Sequence, residues 1–172
     1  MFLKLMVTLK NEKKHIEPWM VRYVNSLKRS LHLSDWTIIM SEEPCSPDCL
    51  AETDVVSGQH LARMFLNKSY TKDTPQNIRG TIIHELLHCH LSPISELSAE
   101  ILKPLSDDLG GSRVIKSAIN GIEYETERSI DAISEAIAIY FPLPNMPKPK
   151  KKRVYKKKTV QVSKSRSNVK TR

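Results

Sequence analysis

The stretch Thr74-Pro-Gln-Asn-Ile-Arg-Gly-Thr-Ile-Ile-His-Glu-Leu-Leu-His-Cys-His-Leu91 decides how the rest of the chain is read. A hydroxyl residue followed by proline is a helix start, with Thr74 at the N-cap and Pro75 in the first helical position. Projected at about 100° per residue, Ile78, Ile82, Ile83, Leu86, Leu87 and Cys89 cover more than half of the circumference, which predicts a largely buried helix. Pro93 is expected to stop it at about Leu91. Inside it lies His84-Glu85-Leu86-Leu87-His88, the H-E-x-x-H pattern. Spacing four places His84 and His88 one turn apart on one face, so two imidazole nitrogens can converge on a single metal ion. Glu85 projects about 100° away from His84, off that stripe but within reach of a water beside the metal. Three polar groups on a buried helix are costly to desolvate, and a metal site relieves that cost.

A catalytic zinc takes a third protein ligand and keeps a position open. The extended pattern with a third histidine six residues on would need Gly at Leu91 and His at Ile94, and Pro93 stands between them. No histidine follows His90. His90 itself projects about 200° from His88, and His60 lies upstream on an expected strand. A carboxylate is therefore expected, and a downstream helical stretch offers Glu123, Glu125, Glu127, Asp131 and Glu135. Glu123, Glu127 and Asp131 share a face at spacing four.

H-E-x-x-H followed on a later helix by Glu-x-x-x-Asp resembles the gluzincin arrangement of zinc metallopeptidases, thermolysin-like enzymes among them. It is also similar to the small intracellular minigluzincin and ImmA-like metallopeptidases, often encoded by phages or prophages. Glu127-Arg128-Ser129-Ile130-Asp131 carries that spacing, and the resemblance covers roughly residues 38–140. It implies His84, His88 and Glu127 as ligands of Zn2+, Asp131 as the partner that orients His84, and Glu85 as general base for peptide-bond hydrolysis. Tyr124, one turn before Glu127, is a candidate donor to the oxyanion. The expected strand Leu61–Leu66 resembles the edge strand on which such enzymes align an extended peptide.

Working outward towards the N-terminus, Asn67–Asp73 is a polar connection. Val55–Val56 and Leu61–Leu66 read as strands flanking Gly58, a hairpin. Glu42–Asp54, with Pro44 and Pro47, reads as a loop, and Trp36–Met40 as a strand. From His15 to Leu33 apolar residues recur at intervals of three and four, an amphipathic helix. Working towards the C-terminus, a second helix is expected over Ile94–Leu105, then a turn at Asp107–Ser112. A last helix runs from near Val114 to Phe141, with a break expected at Asn120–Gly121 and an end at Pro142 and Pro144. No internal repeat is visible. Helix, strands, then helices is the order of an α+β fold. With the resemblance it becomes a zincin-like one: a small sheet beside the H-E-x-x-H helix and a C-terminal helix that supplies the third ligand.

The 172 residues carry a formal net charge of +8, and its distribution is uneven. Residues 148–172 hold twelve basic residues and no acidic one, which leaves 15 basic against 19 acidic in residues 1–147, a net of −4. The expected organisation is one domain over 1–147 and a disordered Lys/Arg-rich tail over 148–172. Such a tail binds nucleic acid through phosphates without reading bases, and Pro149–Val154 also resembles a nuclear import signal. No run approaches the eighteen or so apolar residues of a membrane span, and Met1–Leu9 lacks the features of an export signal. Cys45, Cys49 and Cys89 are too few for a disulfide framework and fit a reducing, cytoplasmic setting. Cys45 and Cys49 read as free thiols in a loop, with half of a metal site as the alternative.

Two function classes follow. One is an intracellular zinc metallopeptidase acting on a protein or peptide substrate, with the tail holding it near nucleic acid. The other is a non-catalytic nucleic-acid-binding protein whose metal site is structural, closed by a fourth ligand such as Glu123 beside Glu127.

Overall fold

A computed structural model describes residues 16–108 and 113–147. The tail 148–172, the opening Met1–Leu9 segment and the glycine pair of the expected 107–112 turn lie outside them. The fold is α+β, with three helices and a three-stranded mixed sheet among the described residues.

Helix α1, Pro18–Ser30, starts on a proline in its first turn and buries Trp19, Met20, Tyr23, Val24 and Leu27. These are the positions that the three-and-four spacing places on one face. Strand β1, Thr37–Met40, follows. Strand β2, Ala51–Val56, and strand β3, Leu61–Leu66, form the hairpin across Gly58. A 3-10 turn at Ser57–Gln59 makes the reversal, completed by His60 in the left-handed region at φ 48°. β2 begins four residues earlier than the sequence suggests. The side-chain amide of Asn67 donates to the carbonyls of Ser46, Pro47 and Cys49, and the Asn67 backbone N–H donates to Leu50. That bracing carries the pairing past the proline-rich loop to Ala51. Glu52 and Asp54 then point outward while Thr53 and Val55 turn inward, the alternation of a half-buried strand.

The sheet order is β1-β3-β2, with β1 parallel and β2 antiparallel to β3. β3 is therefore the central strand, paired on both sides, with Ala62, Met64 and Leu66 fully buried. Its backbone groups are engaged in two ladders, so it cannot be the edge that aligns a peptide. The edges are β1 and β2.

Helix α2 runs unbroken over Pro75–Asp108, 34 residues with Pro93 and Pro104 inside, a rod of about 50 Å. Asp73 accepts from the Thr74 N–H and from the Asn77 amide, and Thr74 Oγ1 accepts from the Asn77 N–H at 3.2 Å, closing the N-cap. The stop expected at Pro93 does not occur. An interior proline costs about 3 kcal/mol, and here helix α3, Arg113–Ala138, lies alongside and holds both halves of α2 in line. The same support carries α3 through Asn120–Gly121 without a break. α3 ends at Ala138, three residues short of Phe141. Its exit is tied to the body by Arg79, which donates to the Phe141 carbonyl, and by the Tyr23 hydroxyl, which donates to that of Pro142.

The core lies between α1, one face of the sheet and the first half of α2. Ile78, Ile82, Ile83 and Leu86 are at most 2% exposed, and α3 adds Ile130 and Ala138. Among the described residues no helix is long and apolar enough to cross a membrane.

Candidate metal centre

α2 and α3 are antiparallel neighbours, and their contact brings the two halves of the sequence pattern together. His84 Nε2 and His88 Nε2 face each other at 3.3 Å. Glu127 on α3 places one carboxylate oxygen 3.8 Å from His84 Nε2 and the other 3.7 Å from His88 Nδ1. Among the described residues, His84, His88 and Glu127 are the group of metal-ligating side chains that converge on one point. One turn further along α3, Asp131 Oδ1 lies 3.0 Å from His84 Nδ1. With the Nδ1–H donated to Asp131, the His84 lone pair is left on Nε2, the atom aimed at His88.

The donor set fits zinc. Bonds of 2.0–2.1 Å in a tetrahedron hold ligand atoms roughly 3.3 Å apart; here His84 Nε2 lies 3.3 Å from His88 Nε2 and 3.8 Å from Glu127, and the three ligand atoms together lie within 4.8 Å of one another. Burial lowers the His88 pKa, with Glu127 opposing, and the neutral imidazole it favours is the form that ligates a metal.

Glu85 is 5% exposed. Burial pushes its carboxyl up to about 7; the buried Thr53 hydroxyl on β2 pulls the other way, and the Glu127 and Glu52 carboxylates add to the rise. That hydroxyl has no closed hydrogen bond of its own. Glu85 and His84 both line an open cleft of about 510 Å³ that extends along the first half of α2 past Thr81, Asn77 and Asp73. Leu50 and Ala51, where β2 begins, form one wall; Asp131, Ser134 and Glu135 of α3 form another.

Other candidates fall elsewhere. Glu123 sits one turn further along the shared stripe, beside Glu96, Glu100 and Lys103 rather than the histidines. Glu125 pairs with Arg128 at 3.2 Å. Tyr124, one turn before Glu127 on α3, is 67% exposed and is not among the residues that line the cleft. His60 contacts Asp35 at 2.9 Å and stacks on Trp36, and His90 Nε2 meets the Leu31 carbonyl at 2.8 Å; both are packing partners. Cys45 and Cys49 are free thiols in the 42–50 loop. Burial, helped by Cys49, pushes Cys45 up to about 12, and neither thiol joins the metal-ligating group.

The cleft walls escape sequence reasoning because they come from three separate elements. Thr53 sits in a stretch taken for loop. On α3, Asp131 and Glu135 belong to the carboxylate cluster that the sequence singles out, and Ser134, missed there, carries a signal of its own: it follows Asp131 by three and shares its face. Compared with known protein families, with curated proteins and with solved structures, the chain matches none.

Proposed function

We propose that the chain is a zinc-dependent metallopeptidase of gluzincin type that hydrolyses peptide bonds in an intracellular protein. The observation that carries this reading is the convergence of His84, His88 and Glu127 at ligand spacing beside a buried Glu85 that opens on a cleft. His84, His88 and Glu127 would hold the zinc, which when bound supplies Lewis acidity towards the scissile carbonyl. Asp131 fixes the His84 tautomer and ring orientation. Glu85 takes the proton of the attacking water and passes it to the leaving amine. Its enclosure on the protein side keeps that proton exchange directed at the cleft. The substrate segment lies against the free edge of β2, whose first residue lines the cleft, in the place the sequence assigned to β3. The basic tail of residues 148–172 would locate the enzyme on nucleic acid through phosphate contacts.

The competing reading, a closed structural site, calls for a fourth ligand. Glu123, its nominee, lies with Glu96 and Lys103 instead. The test is metal analysis with a peptide-cleavage assay. Purified protein binds one zinc per chain, His84→Ala and Glu127→Gln lose it, and Glu123→Gln keeps it. Glu85→Gln retains zinc while hydrolysis falls on the order of a thousandfold; full activity in that variant would sink the general-base role.

A further inference from the structure

Beyond Cys89 no residue of α2 up to Pro104 is buried, and no residue of α3 before Ile130 is buried. These segments form a two-helix arm that extends past the body. Its two helices meet through a narrow seam in which Ile115, Ile119, Ile122 and Thr126 of α3 are half-buried. On one side of that seam α2 presents Ile94, Leu97 and Ile101 at 59, 58 and 60% exposure. Spacings of three and four put them within about 60° of one another. Ile94 shares a groove with Ile122, Glu125 and Thr126, so this is the side on which α3 carries the stripe Val114, Ala118, Gly121 and Glu125. Val114 is 76% exposed, and Ala118 and Gly121 are exposed as well. From Ile94 to Ile101 and from Val114 to Gly121 that face carries no charged residue. The charged Glu96, Glu100, Lys103 and Glu123 line the opposite side of the arm.

We infer that this face is a homodimer interface, in which the arms of two copies pack into a four-helix bundle. A helical pair with one narrow seam gains little from its own packing, and stable helices in water need an apolar face covered. A partner required by every copy for its own arm must be present at the same concentration, which the chain itself is. Two such faces are self-complementary, as a twofold interface demands. Burying four large side chains of roughly 100 Å² each from both copies, together with the small residues between them, brings the contact to about 1,000 Å², the floor for a specific interface. Ala118 and Gly121 let the backbones approach closely. Because the face lies opposite the cleft, both clefts stay open in the dimer. The inference does not depend on the zinc reading.

Sedimentation equilibrium on the full chain tests it. The expected result is a concentration-dependent dimer of twice the 19.7 kDa chain mass, and a melting temperature that rises with protein concentration. Leu97→Glu should weaken self-association roughly a hundredfold. Gly121→Leu keeps the test decisive should Leu97→Glu fail to fold. A Cβ at Gly121 meets nothing within 4 Å in the single chain, the position is exposed, and leucine is the better helix former, so the monomer keeps its helix content while the dimer is blocked. A monomeric wild-type chain at tens of micromolar overturns the inference. So does a Gly121→Leu variant that dimerises like wild type, or a monomer that is found covered by a different protein.

Discussion

The two halves of α2 share one helix and one neighbour, α3, and differ in everything else that touches them. Between Pro75 and Leu91 its side chains fill the core, with Ile83 and Leu86 at 0% exposure. Between Ser92 and Pro104 none is buried, and Ile94, Leu97 and Ile101 are more than half exposed. The histidines and Glu85 all stand on the first half. A helix clamped on several sides by α1, the sheet and α3 cannot rotate or slide, so the Nε2 atoms of His84 and His88 hold their spacing without a metal to enforce it. The second half, held by α3 alone, has the wrong mechanics for a site and the right ones for an interaction surface.

The largest effect expected from this contrast is in stability. Ile83→Ala leaves a cavity in the packed half and should cost about 2–5 kcal/mol. Ile101→Ala removes atoms already in water and should cost under about 1 kcal/mol in the monomer. Chemical denaturation of both variants at low protein concentration measures the difference. Equal costs would mean that the arm is packed as tightly as the body, and the contrast would fail.

Much of this division was legible in the sequence, unevenly. The burial of Ile78, Ile82, Ile83, Leu86 and Leu87 followed from helical periodicity, and His84, Glu85 and His88 from spacing within one helix. Those are local relations, and a helix fixes local geometry. The third ligand was not local. Elimination left five carboxylates on one stretch, the Glu-x-x-x-Asp resemblance pointed to Glu127, and the antiparallel packing of α3 on α2 is what sets Glu127 rather than Glu123 level with the histidines. Tyr124 sits on the arm side of Glu127, while the cleft is lined from Asp131 to Glu135. The Pro93 stop and the Asn120–Gly121 break were local rules overridden by a neighbouring helix. The edge-strand assignment failed because strand order in a sheet is set by pairing, which strand-by-strand periodicity does not encode.

Glu85 allows the buried half to be probed by pH. In the metal-free chain its carboxyl is held at about 7, against 4.5 for the free group, so the folded state binds its proton more tightly than the unfolded state does. The sign follows from linkage: stability is full below about pH 4.5 and is lost as pH rises to about 7, a decline of about 3 kcal/mol. His88 works in the opposite direction, because burial lowers its pKa. The difference between wild type and Glu85→Gln therefore isolates the carboxyl. Denaturation from pH 4 to 8 should show the two stability curves diverging across that window, with the variant lacking the fall. Parallel curves would mean that Glu85 is solvated, contrary to its 5% exposure.

The smallest effect concerns the link between the helices. Asp131 accepts the Nδ1–H of His84 at 3.0 Å, yet its own side chain is 68% exposed. Partners of this kind change metal affinity by about 10- to 100-fold when removed. Asp131→Asn keeps an oxygen that can accept the proton and loses only the charge, part of which solvent already screens, so its expected loss is near tenfold. Asp131→Ala loses the hydrogen bond as well and should fall further into that range. Zinc titration by competition with a chromogenic chelator resolves the series, with Glu123→Gln on the arm as the unchanged reference. If Asp131→Ala binds zinc as tightly as Glu123→Gln, the contact between Asp131 and His84 does not orient the imidazole. The clamp on α2 alone would then hold the site in register.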